Sequence, residues 1–124
     1  MPGNKILIID DDNKNIFALT ATLRVRKFQT LSALSAKDGI KLIEHDPAIG
    51  IVLMDMMMPD MDGYEAIRTI RKSEYGKLPL IAVTAQAMIG DKEKCLQAGA
   101  DDYISKPINV DALLLVLNKY VKGG

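Results

Sequence analysis

The sequence predicts an α/β domain: a five-stranded parallel sheet doubly wound with helices on both faces. Three observations lead there. Short β-branched runs alternate with helical patterns five times along 124 residues. Runs such as Ile6-Leu7-Ile8-Ile9 and Ile51-Val52-Leu53-Met54 are too continuously apolar for a sheet with one wet face. Regular strand–helix alternation favours parallel strands joined by right-handed crossovers, which place helices on both sides. At this length and 48% apolar composition, residues 1–124 read as one domain with a single core.

The elements follow in order. Lys5 to Ile9 is the first strand, and Asn13 to Arg26 the first helix, with Asp12 as a helix-start residue. Phe28 to Leu31 is the second strand. The second helix, Ser35 to His45, opens on Ser35-Ala36-Lys37-Asp38, where a hydroxyl three residues before an acid resembles a capping box. Gly50 to Met54 is the third strand, and Asp62-Gly63-Tyr64-Glu65 opens a third helix to Ser73 by the same device. Leu80 to Val83 is the fourth strand. A helix from about Ala87 to Ala98 then stops at Gly99, a residue suited to the position just past a helix end. Asp102 to Ile104 is the fifth strand. In the last helix, Asn109 to Val121, Leu113, Val116, Leu117 and Tyr120 form one apolar stripe at i, i+3, i+4 and i+7.

Composition excludes several function classes. Sixteen basic residues balance sixteen acidic ones, so no overall field draws the chain to nucleic acid or to an anionic membrane. Aromatics are 5% and Trp is absent, which removes the usual base-stacking platform. The longest apolar run falls far short of the roughly 20 residues a membrane span requires. The single Cys95 cannot form an internal disulfide, and the N-terminus lacks a secretion signal, so a reducing cytoplasmic compartment is expected. Cys95 itself reads as a small helix residue.

Parallel sheets of this kind bind ligands beyond the carboxyl ends of their strands. That is where the polar signals gather: Asp10-Asp11-Asp12 after the first strand, Asp55 after the third, Thr84 after the fourth, Lys106 after the fifth. Adjacent carboxylates repel unless a cation sits among them, so the cluster implies a metal, a nearby lysine, or a merely solvated turn. Oxygen ligands without His or Cys suit a hard cation that keeps some of its waters, by default Mg²⁺. With the Lys106 ammonium, the Thr84 hydroxyl and the turn Asp55-Met56-Met57-Met58-Pro59, the set suits stabilisation of a phosphoryl group in transfer. Taken singly, each residue is an ordinary strand-end group. Their joint occurrence at four strand ends is what argues for a site.

Four motifs together carry a family resemblance: Ile9-Asp10-Asp11; Leu53-Met54-Asp55 with Met58-Pro59 and Met61-Asp62-Gly63; Val83-Thr84-Ala85; and Gly99-Ala100-Asp101-Asp102-Tyr103 leading to Lys106-Pro107. From Lys5 to about Val121 the chain resembles a response-regulator receiver domain of two-component and phosphorelay signalling. The resemblance implies the flavodoxin-like strand order 2-1-3-4-5. It implies that Asp55 is the phosphoacceptor, attacking a phosphohistidine on a histidine kinase or histidine phosphotransfer partner. It also implies that Asp11, Asp55 and the backbone carbonyl of Met57 coordinate Mg²⁺, with Asp10 holding the ion through water. Lys106 and Thr84 would contact phosphoryl oxygens, and Lys106-Pro107 would be a cis peptide.

A switch is implied as well. Movement of Thr84 toward the phosphoryl group would let Tyr103 turn inward and repack the face of the fourth helix, fifth strand and fifth helix, a surface for phosphorylation-dependent dimerisation. The partner surface would lie near Ile16 and Phe17. Met57 and Gln86 carry no charge to align an attacking water, so a moderately long-lived phosphoryl state is expected. The stretch Ile81 to Met88 and Gly90 to Cys95 is similar to receivers of hybrid histidine kinases, which favours that setting over the other one open, a single-domain regulator.

Other readings fit less well. A Mg²⁺-dependent phosphohydrolase of the aspartyl-phosphate type usually has a second Asp two residues after the nucleophile as its proton carrier, where this chain has Met57. Such a turnover enzyme is therefore not expected. A flavin-binding electron carrier would place a Ser/Thr/Gly-rich phosphate loop where Asp10 to Asp12 stand. The methionines Met54, Met56, Met57, Met58 and Met61 lack Cys or multiple His beside them and read as packing and loop contacts. His45 lies near a helix C-terminus, a setting for a solvated imidazole and not for a phosphorylated one.

Overall fold

The computed structural model describes residues 4–58, 63–84 and 89–121. Its elements are β1 (Lys5–Ile9), α1 (Asn13–Val25), β2 (Gln29–Ala33), α2 (Ala36–His45), β3 (Ile49–Asp55), α3 (Gly63–Lys72), β4 (Leu80–Thr84), α4 (Ile89–Ala98), β5 (Asp102–Ser105) and α5 (Val110–Tyr120). The five strands are parallel and ordered β2-β1-β3-β4-β5. Among the described residues no helix is long and apolar enough to cross a membrane.

The continuous apolar runs are explained by where their alternate side chains go. Leu7, Ile9, Val52, Met54, Leu80 and Ala82 enter a buried cluster with Ile43 of α2, Ile67 and Ile70 of α3 and Cys95 of α4. Ile6, Ile8, Ile51, Leu53, Ile81 and Val83 point the other way, into a cluster with Leu23 of α1 and Leu113 and Leu117 of α5. A strand with period two can fill both layers only if both of its residue sets are apolar. The central strands satisfy this fully, since every residue of β3 and β4 is buried.

Local signals set several boundaries. Asp12 caps α1 by accepting from the Lys14 amide at 2.8 Å, and Ser35 caps α2 by accepting from the Asp38 amide at 3.2 Å. Asn109 caps α5 through the Ala112 amide. Gly99 ends α4 with φ of 124°, a region other residues rarely enter, while the Ala100 amide reaches back to the Cys95 carbonyl at 3.0 Å. The capping role read for Asp62, and the residues around Ala87, lie outside the described residues.

Four strands differ in their limits from the sequence reading, β3 also starting one residue earlier, at Ile49, and β5 ending one later, at Ser105. Asp55 and Thr84 do not follow their strands but end them, because the ladders run on through Asp55 opposite Val83 and Thr84 opposite Ser105. The second strand is shifted toward the C-terminus. Phe28 does not pair; its amide caps the end of α1 by donating to the Leu23 carbonyl at 3.0 Å, its ring is buried, and pairing starts with Lys5 opposite Gln29.

A cationic staple holds the edge remote from the strand ends. Arg71, in the last turn of α3, donates Nε to the Gly99 carbonyl at 2.7 Å, Nη1 to the carbonyls of Gly76 and Leu78, and Nη2 to Asp101 Oδ2 at 2.7 Å. The same Asp101 oxygen accepts from the Leu80 amide at 2.9 Å. One planar fork thus ties α3, the α3–β4 turn and the entry to β5 into a unit.

Candidate functional site

Strand pairing builds the site before any side chain is considered. β1 and β3 are neighbours with Ile9 opposite Met54, so the residues that follow, Asp10 and Asp55, reach the same end of the sheet side by side. β4 brings Thr84 next to them, and Lys106 follows directly on Ser105, the partner of Thr84. The Lys106 amide donates to the Thr84 carbonyl at 2.7 Å, which fixes the lysine backbone one step beyond the ladder.

Asp10, Asp11 and Asp55 each offer a carboxylate oxygen, and these oxygens lie within 4.8 Å of one another. Asp10 and Asp55 are 4% exposed, whereas Asp11 faces solvent. The Lys106 ammonium stands 3.3 Å from Asp55 Oδ2. Of the explanations open for the acidic run, a neighbouring lysine is therefore present, and for Asp10 and Asp55 a solvated turn is not.

The three consecutive acids divide their work. Asp10 Oδ1 accepts from the Asp12 amide at 2.9 Å, folding the turn inward, while Asp12 turns away to cap α1. Asp11, between them, keeps an exposed carboxylate at the mouth. On the other side Asp55 Oδ1 accepts from the Met57 amide at 2.9 Å, and the Met56 amide donates to the Val83 carbonyl at 2.8 Å. These bonds hold Met56 against β4 and fold Met57 back on Asp55.

Burial pushes the Asp10 carboxyl above its ordinary value. The Asp12 amide opposes the rise, the Asp55 carboxylate adds to it, and the Lys106 ammonium opposes it in turn. Lys106 alone does not neutralise the cluster. The all-oxygen donor set, without His or Cys, suits a hard cation.

The remaining sequence candidates fall near this centre or outside the description. Thr84 is buried at the end of β4. Tyr103 lies in β5, three residues before Lys106, half-buried against the α2–α3–α4 side. Met57 follows Asp55 at the rim with its side chain exposed, whereas Met54 and Met58 are buried. Lys106-Pro107 is cis. Ala85, Gln86, Pro59, Met61 and Asp62 lie outside the described residues. What sequence reasoning missed is a cavity of about 360 Å³ beside the carboxylates, running under α1 past Asn15, Ala18 and Leu19 to Pro107 and Ile108.

Comparisons with known proteins agree with this geometry. Residues 6–118 match the family model described as the response regulator receiver domain. The chain is 39% identical over 128 residues to hybrid signal transduction histidine kinase I of Dictyostelium discoideum, covering 98% of this chain but only 7% of that protein. Among solved structures, it superposes on the receiver domain of sensor histidine kinase PA1611 from Pseudomonas aeruginosa PAO1, which has a magnesium ion coordinated in its active site cleft. That match has a TM-score of 0.83 and 35% identity, over 95% of this chain and 97% of the other. It also matches the co-crystal structure of the Saccharomyces cerevisiae histidine phosphotransfer protein Ypd1 with the receiver domain of Ssk1, at TM-score 0.86 and 26% identity over 96% and 89%.

Proposed function

This chain belongs to the response regulator receiver domain family of two-component signalling, and from that premise we propose that Asp55 accepts a phosphoryl group from a phosphohistidine in a Mg²⁺-dependent reaction. The observation that carries the proposal is the crowding of Asp10, Asp11 and Asp55 around one point, with the Lys106 ammonium 3.3 Å from Asp55. An Asp55 oxygen attacks phosphorus, the P–N bond of the donor breaks, and the departing imidazole keeps the electron pair.

The chain's own residues prepare that step. The Met57 amide holds Asp55 Oδ1, leaving Oδ2 on the lysine side as the attacking atom. Lys106 offsets charge on the incoming phosphoryl oxygens, and Thr84 donates its hydroxyl to another of them. Asp11 and Asp55, with the Met57 carbonyl, would hold Mg²⁺ directly. Asp10, whose Oδ1 accepts from the Asp12 amide, would hold the ion through water, as the family resemblance implies. The bound ion supplies charge neutralisation between carboxylates and phosphate.

The donor is a histidine kinase or histidine phosphotransfer domain, docking near Ile16 and the exposed ring of Phe17 on α1. The pairing of Ypd1 with the Ssk1 receiver supports that class of partner. Thr84 and Tyr103 relay the phosphoryl state to the α4–β5–α5 face, a surface for a phosphorylation-dependent dimer. We read residues 1–124 as this one domain, acting in the cytoplasm as a signalling module and not as a turnover enzyme. Its 39% identity to a segment of the Dictyostelium hybrid kinase supports a setting within a hybrid histidine kinase, with a single-domain regulator as the alternative.

The test is incubation with Mg²⁺ and a small-molecule phosphodonor, followed by intact-mass measurement of native protein and Asp55→Asn. One phosphoryl group should add to the native protein alone, and addition to both would remove Asp55 from the role.

A further inference from the structure

The Tyr103 ring has a polar neighbour that the site does not account for. Lys92, on the exposed side of α4, places its Nζ 5.1 Å from the ring centroid. That lies inside the ~6 Å range in which an ammonium is attracted to the face of a tyrosine ring. Among the described residues Lys92 forms no ion pair, and the Tyr103 side chain makes no hydrogen bond; each is the other's polar partner. The ring is half-buried on the α2–α3–α4 side, where Ala82, opposite it on β4, is buried, and the residue it meets, Lys92, is exposed. Its seat is therefore against the outer part of α4, one side in contact with solvent.

We propose that Lys92 is a positioning residue that holds Tyr103 in this outward seat by a cation–π contact, so that α4 sets how readily the ring turns in toward Thr84. This rests on the assignment of Tyr103 as the switch. A ring that turns inward leaves the ammonium behind, so the contact favours one of two packings and shifts their populations. An exposed contact of this kind is worth about a two- to fivefold bias in such an equilibrium. Phosphorylation must overcome that bias, and any loss of the Lys92 charge lowers the threshold.

Two measurements on the whole chain test it. The first follows ring-labelled Tyr103 by NMR in native protein, Lys92→Met and Lys92→Arg, without any phosphoryl group. Lys92→Met should shift the ring resonances toward the inward population, and Lys92→Arg, which keeps a cation over the ring, should restore them. Unchanged resonances in Lys92→Met would overturn the proposal. The second titrates beryllofluoride with Mg²⁺ as a phosphoryl mimic: Lys92→Met should bind it two- to fivefold more tightly, with no such gain when Tyr103 is Leu. The same gain in the Tyr103→Leu background would place the effect of Lys92 elsewhere and overturn the proposal. If Asp55 is not the acceptor, beryllofluoride fails to bind native protein at all, while the NMR comparison still decides the role of Lys92.

Discussion

Replacing Asp10 with Asn should stabilise the metal-free protein while removing its response to Mg²⁺. The carboxylate oxygens of Asp10 and Asp55 lie within 4.8 Å, and at an effective dielectric near 20 a unit-charge pair at that distance repels by about 3.5 kcal/mol. Lys106 offsets part of this through its 3.3 Å contact with Asp55, but its attraction for Asp10 is weaker than the repulsion from Asp55. Burial of the Asp10 charge adds a penalty of its own, relieved by a neutral amide. Against this stands the Asp12 N–H, which would donate to an Asn oxygen less strongly than to a carboxylate. The balance is a gain of about 1–3 kcal/mol for Asp10→Asn in chelator. In urea denaturation its midpoint should therefore lie above that of the native chain. Mg²⁺ at 100 times its dissociation constant should raise native stability by about 2.7 kcal/mol and the variant by much less, closing or reversing the gap. A variant less stable than native protein in chelator would refute the reasoning, since crowding would then not be what the site costs. A native midpoint indifferent to Mg²⁺ would refute it from the other side.

Arg71→Met should cost about 2–4 kcal/mol in the same assay, because three carbonyls and Asp101 lose a donor in a half-buried setting, and Arg71→Lys should recover little of it, since one ammonium cannot span partners on three segments. The pH dependence has two parts of opposite sign. Asp10 titrates above the ordinary carboxylate range, so its ionisation opposes folding. Metal-free stability should rise as pH falls through its folded value and level off below the unfolded one, with Mg²⁺ affinity dropping in that window and both effects absent in Asp10→Asn. Asp46 is held below the ordinary range by Lys5 at 2.9 Å and by the Ala48 amide. Its contribution is present above the unfolded value and lost as pH falls through the lower folded one, a step that Asp46→Asn should remove from acid denaturation curves. Phosphorylated native protein, followed by intact mass, should keep its phosphoryl group well beyond seconds, because Met57 is an apolar side chain at the rim; loss within seconds would contradict that.

What could be read from the sequence was local in its encoding. Buried strands announce themselves by apolar runs, helix starts by Asp12, Ser35 and Asn109, and the α4 end by Gly99, and each of these signals acts within a few residues. The site was legible for a related reason: parallel strands bring their carboxyl ends to one edge, so acids, Thr84 and Lys106 at four strand ends had to share it, and the order β1-β3-β4-β5 makes them neighbours. The strand limits were less legible, since ladder pairing decides them. Phe28 has the composition of a strand residue, yet its amide is taken by the Leu23 carbonyl. Least legible were Arg71 and Lys92. No sequence pattern singles them out, and their partners are backbone carbonyls and a ring supplied by other segments. Asp101 shows the gap clearly: its place in a motif is visible in the sequence, but its work, joining the Leu80 amide to Arg71, is not.

The position of Lys106 links chemistry to surface more directly than its charge alone suggests. Its side chain meets Asp55 while its amide is bonded to the Thr84 carbonyl, so a change in what lies beside Asp55 acts on the shared ends of β4 and β5. Tyr103 stands three residues earlier on β5, opposite Ala82 on β4, with Lys92 of α4 over its ring. A rearrangement at the carboxylates therefore has a short path to the α4 side, made of one salt bridge, one backbone hydrogen bond and one strand pair. The far ends of β4 and β5 have no such freedom. Leu80 and Asp101 are fastened to Arg71, which anchors them to α3. Tyr103 thus lies between the two ends, two residues after the pinned Asp101 and three before Lys106. Loosening Arg71 should accordingly blunt any coupling between Asp55 and Tyr103 even where the fold survives, a linkage that ring-labelled Tyr103 in Arg71→Lys, with and without beryllofluoride, would reveal as a smaller ligand-induced shift.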